Sequence, residues 1–123
     1  MEEPFEEAVV AAEDVKSLIK PVTFTWEGSE YTLDFNRASV KCAERDFDIT
    51  VKTFAEQKMT VFDDVFYCAL LTRQPNMKRS VSDRICWNMT NKAELYIRLY
   101  LLFANAVNTL YEEPDEGNAI SWK

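Results

Sequence analysis

The hydrophobic positions along the chain change from a helical period to a strand-like period and back again. Residues 4–20 carry apolar side chains at spacings of three and four, which predicts an amphipathic helix that Pro21 ends. Residues 22–35 alternate apolar and polar positions around a turn at residues 27–30, which predicts a β-hairpin. The apolar stripe of the first segment consists of Phe5, Ala8, Val9, Ala12, Val15 and Ile19.

A short helix is predicted directly after the hairpin. Asn36 can cap a helix over residues 37–46, because its side chain can accept a hydrogen bond from the first helical turn. Ala38 and Cys42 are expected to face inward, and the orientation of Val40 stays open. The alternation over residues 47–52 fits a short third strand and an extended link equally well.

A long helix is predicted over residues 54–73, and its first residue is uncertain from the pattern alone. It begins either at Thr53 or only at Thr60, which Asp63 follows at the spacing of a capping box. Its expected inward stripe contains Phe62, Val65, Phe66, Ala69 and Leu70, and the place of Arg73 on it stays open.

Two further helices complete the pattern. Residues 79–88 predict a shorter helix with Ser80 as a candidate cap. Asn91 and Glu94 have the spacing of a capping box and open the longest predicted helix, over residues 92–112. This last helix is apolar on most sides, which is typical of a central helix or of one partly covered by another chain. For a domain of this size we expect the central position, with some surface left for a partner. The main apolar stripe consists of Leu95, Tyr96, Leu99, Leu102, Phe103, Ala106, Val107 and Leu110, and it is extended by Ile97, Tyr100, Leu101 and Ala104.

Together these elements predict a mainly α fold of the α+β class, a compact bundle of about five helices with one small β-hairpin near the N-terminal third. The chain length predicts a single domain over residues 1–123. Its parts are the N-terminal amphipathic helix (4–20), the hairpin (22–35), a helical core (37–112) and an acidic tail (113–123). Two glycines and four prolines agree with long helices rather than a turn-rich sandwich or barrel.

Acidic residues outnumber basic ones by 21 to 14, which gives a net charge of −7. Because such a chain is repelled by phosphate groups and anionic lipids, we expect neither nucleic acid nor membrane as a partner. The acidic N-terminus lacks the pattern of a signal peptide. The longest apolar run, residues 99–107, contains Asn105 and is too short to span a bilayer. A cytoplasmic protein is therefore expected.

The residue types that most catalytic and metal sites need are scarce. The chain has no histidine, which removes the commonest general base near neutral pH and most catalytic zinc sites. Its two glycines cannot form a phosphate-binding loop. Cys42, Cys68 and Cys86 are odd in number and widely spaced, which indicates reduced thiols rather than a disulfide framework. We therefore expect no enzymatic activity, no cofactor and no metal.

Three segments carry recognisable motifs. Residues 30–40, EYTLDFNRASV, contain the hairpin-to-helix pattern Y-x-L-x-F-N-R-x-x-V. Residues 62–71, FDDVFYCALL, are followed by Gln74 and Pro75, and the chain ends in an acidic tail with Trp122. Together these segments resemble the tail assembly chaperones of long-tailed bacteriophages and related prophage proteins. The second segment is similar to the family's LFYxAL…HP helix, with Gln74 where a histidine is frequent and Val65 where a leucine is, and the acidic ending is similar to its C-terminal tail. The resemblance covers roughly residues 22–122 and leaves out the N-terminal helix.

The resemblance implies a non-enzymatic helper that acts in the cytoplasm of a bacterial host. Such a protein binds the long, helical, apolar tape-measure protein, keeps it soluble and recruits tail-tube subunits, often as a homo-oligomer. An acidic carrier with excess apolar helical surface suits a client of that kind. Two alternatives stay open: a structural virion component, such as a tail-completion or connector protein, and a small regulatory protein-binding module.

Excess apolar surface suggests where a partner would bind. One expected surface is the N-terminal stripe, and the other is the outward part of the last helix. Whether Trp122 docks back on the domain or anchors a partner stays open. The predicted contact residues are Phe5, Val9 and Ile19 on the N-terminal stripe and Tyr96, Tyr100 and Phe103 on the last helix.

Overall fold

The computed structural model describes residues 18–56 and 59–122, so residues 4–17 of the predicted N-terminal helix lie outside the described residues. Within these ranges the chain forms a two-stranded hairpin and five α-helices, which confirms the predicted mainly helical fold. The elements are β1 (Val22–Trp26), β2 (Ser29–Leu33), α1 (Arg37–Phe47), α2 (Val51–Ala55), α3 (Met59–Arg73), α4 (Arg79–Trp87), α5 (Lys92–Thr109) and a short 3-10 helix (Glu116–Asn118).

The hairpin turn is shorter than the sequence predicts. The strands pair antiparallel with Trp26 opposite Ser29, so only Glu27 and Gly28 form the turn, and Glu30 lies within β2. Both turn residues have positive φ, 48° and 81°. This is typical of a two-residue turn whose twist matches that of the strands. Glycine adopts the second of these conformations without a steric penalty.

Two helices begin with reciprocal capping. The Asn36 side chain accepts a hydrogen bond from the Ser39 amide, and the Ser39 hydroxyl accepts one from the Asn36 amide, both at 2.8 Å. The prediction that Asn36 caps α1 is therefore confirmed. Thr50 and Thr53 form the same arrangement at α2. Each pair satisfies two amides that helical geometry leaves without a partner.

The inward face of α1 differs from the prediction. Val40 and Ala43 are buried, and Phe47 at the end of the helix packs against the core. Ala38 is exposed and Cys42 is half-buried, so assigning them the inward positions was wrong. The spacing of Val40, Ala43 and Phe47 places the larger apolar surface on one side, and burial of that surface sets the rotation of the helix.

The segment after α1 is neither a strand nor a purely extended link. Ile49 is buried in the connection, and the helix α2 begins at Val51. The long helix α3 begins at Met59, close to the later of the two predicted starts, whereas Thr53 belongs to the separate helix α2. Phe54 of α2 is 1% exposed, and its packing explains why this short helix forms here.

The predicted side-chain caps of α4 and α5 are not formed in the described part of the chain. The residue that precedes α4 is Lys78 rather than Ser80, and it makes no side-chain capping bond. Asn91 precedes α5 as predicted, but its backbone is left-handed with φ 52°, and its side chain makes no capping bond there. The helix ends at Thr109, short of the predicted residue 112.

The hairpin packs on α3, and the core lies between α3, α5 and the shorter helices. The ring centroids of Phe24 and Phe66 are 6.2 Å apart, and the amide of Asp34 donates to the carbonyl of Ala69 at 3.1 Å. The apolar residues of the predicted inward stripe of α3 are buried, as the sequence indicates, whereas Arg73 is exposed. The largest fully buried apolar side chains are Phe54, Phe66, Phe103, Leu33, Ile49, Leu70, Ile85, Leu99 and Val65.

Arg79 at the start of α4 joins three helices. Its guanidinium donates to Asp64 of α3 at 2.7 Å and to Asp83 of α4 at 2.9 Å. It also lies 5.8 Å from the ring centroid of Phe47 and 5.1 Å from that of Tyr67. A planar guanidinium suits both kinds of contact, so this residue orients α4 against α1 and α3.

Candidate protein-binding surface

The inner side of α5 carries the three aromatic residues that the sequence assigned to an outward surface. Phe103 is 1% exposed, with its ring centroid 5.1 Å from that of Phe54. Tyr96 and Tyr100 are half-buried, and both rings pack against Phe54. The Tyr96 hydroxyl donates to the Phe54 carbonyl at 2.9 Å, and burial raises the pKa of this phenol. The outward placement of Phe103 was therefore wrong, because its side chain fills the core.

The N-terminal part of the predicted contact set is described only at its end. Phe5 and Val9 lie outside the described residues. Ile19 is half-buried and packs against the hydrophobic core. The structure therefore gives Ile19 an intramolecular partner, and the prediction for Phe5 and Val9 stays a prediction.

The described residues expose large apolar side chains mainly after the last helix. Tyr111 is 81% exposed, Ile120 90% and Trp122 89%, and Leu110 is exposed to a lesser extent. We call these four residues the C-terminal apolar segment. Single exposed apolar residues are ordinary, but two exposed aromatic rings within twelve residues are typical of a contact surface. The sequence already pointed to this surface, because its apolar residues occur in an otherwise acidic tail.

A groove of about 260 Å³ adjoins the start of this segment. Its walls come from α1, the link to α2 and the end of α5, and the floor includes the buried side chains of Val40, Ile49 and Phe103. Leu110 and Tyr111 line one end of it. The lining also includes Lys41, Glu44 and Thr50, so the groove is partly apolar and partly polar. A concave surface of this kind, with the exposed ring of Tyr111 at one end, is suited to an amphipathic partner helix.

Comparison with known sequences adds one result. The domain of unknown function DUF5055 matches residues 15–123, most of the chain. This chain belongs to the DUF5055 family. No curated protein and no solved structure matches it. The match begins at residue 15. Residues 2–14, in which acidic side chains are frequent, therefore precede the region that this DUF5055 chain shares with its family.

Polar side chains connect the hairpin to α3 in the DUF5055 domain. The Gln74 amide oxygen accepts from the Thr32 amide at 2.8 Å, and its nitrogen donates to the Thr32 carbonyl at 2.9 Å. Arg73 donates twice to one carboxylate oxygen of Asp34, at 2.8 and 3.1 Å. Gln74 and Arg73 therefore explain locally why the hairpin docks at the C-terminal end of α3. Elsewhere, Arg37 donates to Glu112 at 3.4 Å and links α1 to the segment after α5, but both side chains are exposed, so this pair contributes little to stability.

The thiols of the DUF5055 domain have little nucleophilic character. Burial raises the pKa of Cys68 and of Cys86 to about 12. The pKa of Cys42 is also raised, because its thiol donates to the Asp46 carboxylate at 3.1 Å. Deprotonation is therefore disfavoured at neutral pH, and the thiolate is the reactive form. Between residues 18 and 122, apart from 57 and 58, no group of three metal-ligating side chains is close enough to hold an ion.

We expect the three thiols to react at different rates with a disulfide reagent at pH 8. Cys42 is half-buried and should react first, whereas Cys68 and Cys86 should react at least about tenfold more slowly, because each is buried and has a raised pKa. Mass spectrometry of partly labelled protein gives the order, and labelling in denaturant provides the control. Equal labelling rates for Cys42 and Cys68 in the folded protein would contradict this assignment.

No helix in the described ranges is both long and apolar enough to cross a lipid bilayer.

Proposed function

We propose that this protein is a non-enzymatic tail assembly chaperone of a long-tailed bacteriophage or prophage. It binds the apolar, helical tape-measure protein, keeps it soluble and recruits tail-tube subunits. The observation that carries the proposal is the C-terminal apolar segment, in which Tyr111 and Trp122 are more than 80% exposed and Tyr111 lines one end of a groove. Such residues gain most from burial against a partner.

The segments that resemble the chaperone family provide the second support. Their residues make the contacts that set the geometry of the domain: Asn36 caps α1, and Gln74 binds the edge of β2. The motifs thus correspond to structural positions rather than to catalytic ones. This agrees with a carrier whose function depends on its surface.

The surface chemistry suits one apolar helical client. The groove and the C-terminal apolar segment offer burial for a stripe of client side chains. Three exposed carboxylates lie between Tyr111 and Ile120 in the sequence: Glu112, Glu113 and Asp115. Their charges keep the edge of the proposed contact surface hydrated. The net charge of −7 opposes aggregation of the complex between carrier and client.

Co-expression of the full chain with a tape-measure protein, followed by pull-down and sizing, tests the proposal. The wild-type protein should hold the client in a soluble complex. A Tyr111→Ser, Trp122→Ser variant should bind at least about 30-fold more weakly, because the loss of even one aromatic anchor costs on the order of 2 kcal/mol. Its free energy of unfolding should be unchanged, since both side chains are exposed.

Trp87→Ser supplies the matched control. Trp87 is 81% exposed, but it ends α4 and lies outside the C-terminal apolar segment, so its replacement should leave capture unchanged. Full capture by the double variant would disprove the assigned surface. No capture by the wild-type protein would disprove the chaperone function, and presence of the protein in finished particles would instead support a structural role.

A further inference from the structure

The outer edge of β1 carries main-chain groups that no described residue binds. In an antiparallel pair, opposite residues alternate between those that bond to each other and those that turn their main-chain groups away. Thr32 of β2 bonds away from β1, to Gln74, so its opposite residue Thr23 also turns its amide and carbonyl outward. Thr25, two residues along β1, has the same orientation. Within residues 18–56 and 59–122, nothing bonds to these four groups.

The two edges of the hairpin differ in what covers them. The outer edge of β2 is occupied by the end of α3, through Gln74 and through the bond from the Asp34 amide to the Ala69 carbonyl. The strand β1, with the sequence VTFTW, has no charged residue and no proline, and its register is continuous. These are the usual features that keep an edge strand from pairing, so the open edge of β1 can accept another strand.

The sequence of β1 suits antiparallel pairing with a second copy of itself. A two-fold axis at Phe24 places Thr23 opposite Thr25 of the partner subunit, and Thr25 opposite Thr23 of the partner subunit. These residues turn their main-chain groups outward, so the two pairs form four hydrogen bonds. Phe24 then lies beside its counterpart, and aromatic pairs and threonine pairs are both favourable across strands. The Phe24 ring already stacks on Tyr31 at 5.7 Å, so four rings form a row across the joined sheet.

The charges at the ends of β1 also favour a second copy in the antiparallel direction. Lys20 lies just before the strand and Glu27 just after it, and both are exposed. Antiparallel pairing brings the start of one β1 beside the end of the other, so each Lys20 lies near Glu27 of the partner subunit. Parallel pairing would instead bring the two Glu27 carboxylates together. Opposite charges at both ends therefore select the antiparallel arrangement.

We propose that two copies of the chain join their β1 edges into one four-stranded antiparallel sheet. The pairing gives partners to the outward main-chain groups of Thr23 and Thr25. It also covers the exposed parts of Val22, Phe24 and Trp26, which are half-buried in a single copy. The interface uses no residue of the C-terminal apolar segment, so the proposal is independent of the chaperone function.

Sedimentation velocity of the full chain, at concentrations from about 1 μM to about 1 mM, tests this pairing. The wild-type protein should show a reversible monomer–dimer equilibrium. Thr25→Pro should raise the dimer Kd at least about tenfold, because it removes an outward amide from each of two symmetric pairs. The hairpin itself loses no bond, since that amide faces away from β2. The matched control is Thr25→Val, which keeps the amide and should change Kd by no more than about threefold.

A charge-swap pair of variants separates loss of the interface from loss of the fold. Thr23→Lys, Thr25→Lys and Thr23→Glu, Thr25→Glu change two exposed positions, and each variant puts like charges opposite each other in its own dimer. Each should be monomeric alone and folded by circular dichroism, and an equal mixture should form a mixed dimer. Mixing without dimer formation overturns the proposal, including the case in which Thr25→Pro unfolds. A wild-type protein that stays monomeric, or a folded Thr25→Pro protein with unchanged Kd, also overturns it.

Discussion

Replacing Phe103 with serine should lower the free energy of unfolding by at least about 3–5 kcal/mol, the usual range for removing a buried phenylalanine side chain. Phe103 joins three parts of the fold: its ring centroid lies 5.2 Å from that of Phe35 and 5.1 Å from that of Phe54. Serine would leave a cavity and bury a hydroxyl in it. Because small domains are stable by only about 5–15 kcal/mol, this loss is a large fraction of the total stability, and the variant should unfold at a clearly lower denaturant concentration.

Tyr111→Ser is the matched control for this prediction. It removes an aromatic side chain just beyond the same helix, but one that is 81% exposed, so stability should change by no more than about 0.5 kcal/mol. Denaturant titration followed by circular dichroism measures both variants. Near-wild-type stability of Phe103→Ser would mean that this ring does not lie in the core. The outward position expected from the sequence would then regain support.

Replacing Gln74 with leucine should cost about 2–4 kcal/mol, because two backbone groups lose a partner together. The side-chain amide of Gln74 both accepts from and donates to Thr32, as a peptide group of a third strand would. Leucine can do neither, and each unsatisfied, partly buried group costs about 1–3 kcal/mol. Hydrogen exchange should show the loss first at the Thr32 amide.

Two control variants separate the effect of the hydrogen bonds of this amide from the effect of side-chain size. Gln74→Glu keeps the oxygen that accepts from Thr32 and loses the donor, so its loss of stability should fall between those of the wild-type and leucine proteins. Asn105→Leu replaces an exposed amide on α5 and should change stability by no more than about 0.5 kcal/mol. Equal stability of Gln74→Leu and wild type would show that water replaces both contacts without cost.

The positions of several elements could be predicted from local signals. The period-two alternation and the Glu27–Gly28 pair indicate the hairpin, because glycine permits the positive φ that its turn requires. Asn36 indicates the start of α1, because the cap is made within four residues. These predictions succeeded since the decisive contacts are close in sequence.

Local signals were insufficient wherever a distant contact competes with them. The capping patterns at Ser80 and at Asn91 resemble that at Asn36, yet neither forms its side-chain cap in the described structure. The alternation over residues 47–52 fitted a strand or an extended link. In the structure these residues instead contain the end of α1, the buried Ile49 and the start of α2. At α2 the packing of Phe54 against α5 contributes more to stability than the local preference for an extended backbone.

The mainly helical fold, its one hairpin and the start of most elements follow from the amino-acid pattern, because period and capping are local properties. The buried side of α5 becomes clear only from the packing of the folded chain. That helix is apolar nearly all round, so the pattern placed Phe103 both in the main apolar stripe and among the outward contact residues. In the structure Phe103 lies in the core and Ile97 is exposed. The burial of α5 depends on where α2, α3 and the hairpin pack, and those contacts join residues far apart in the chain.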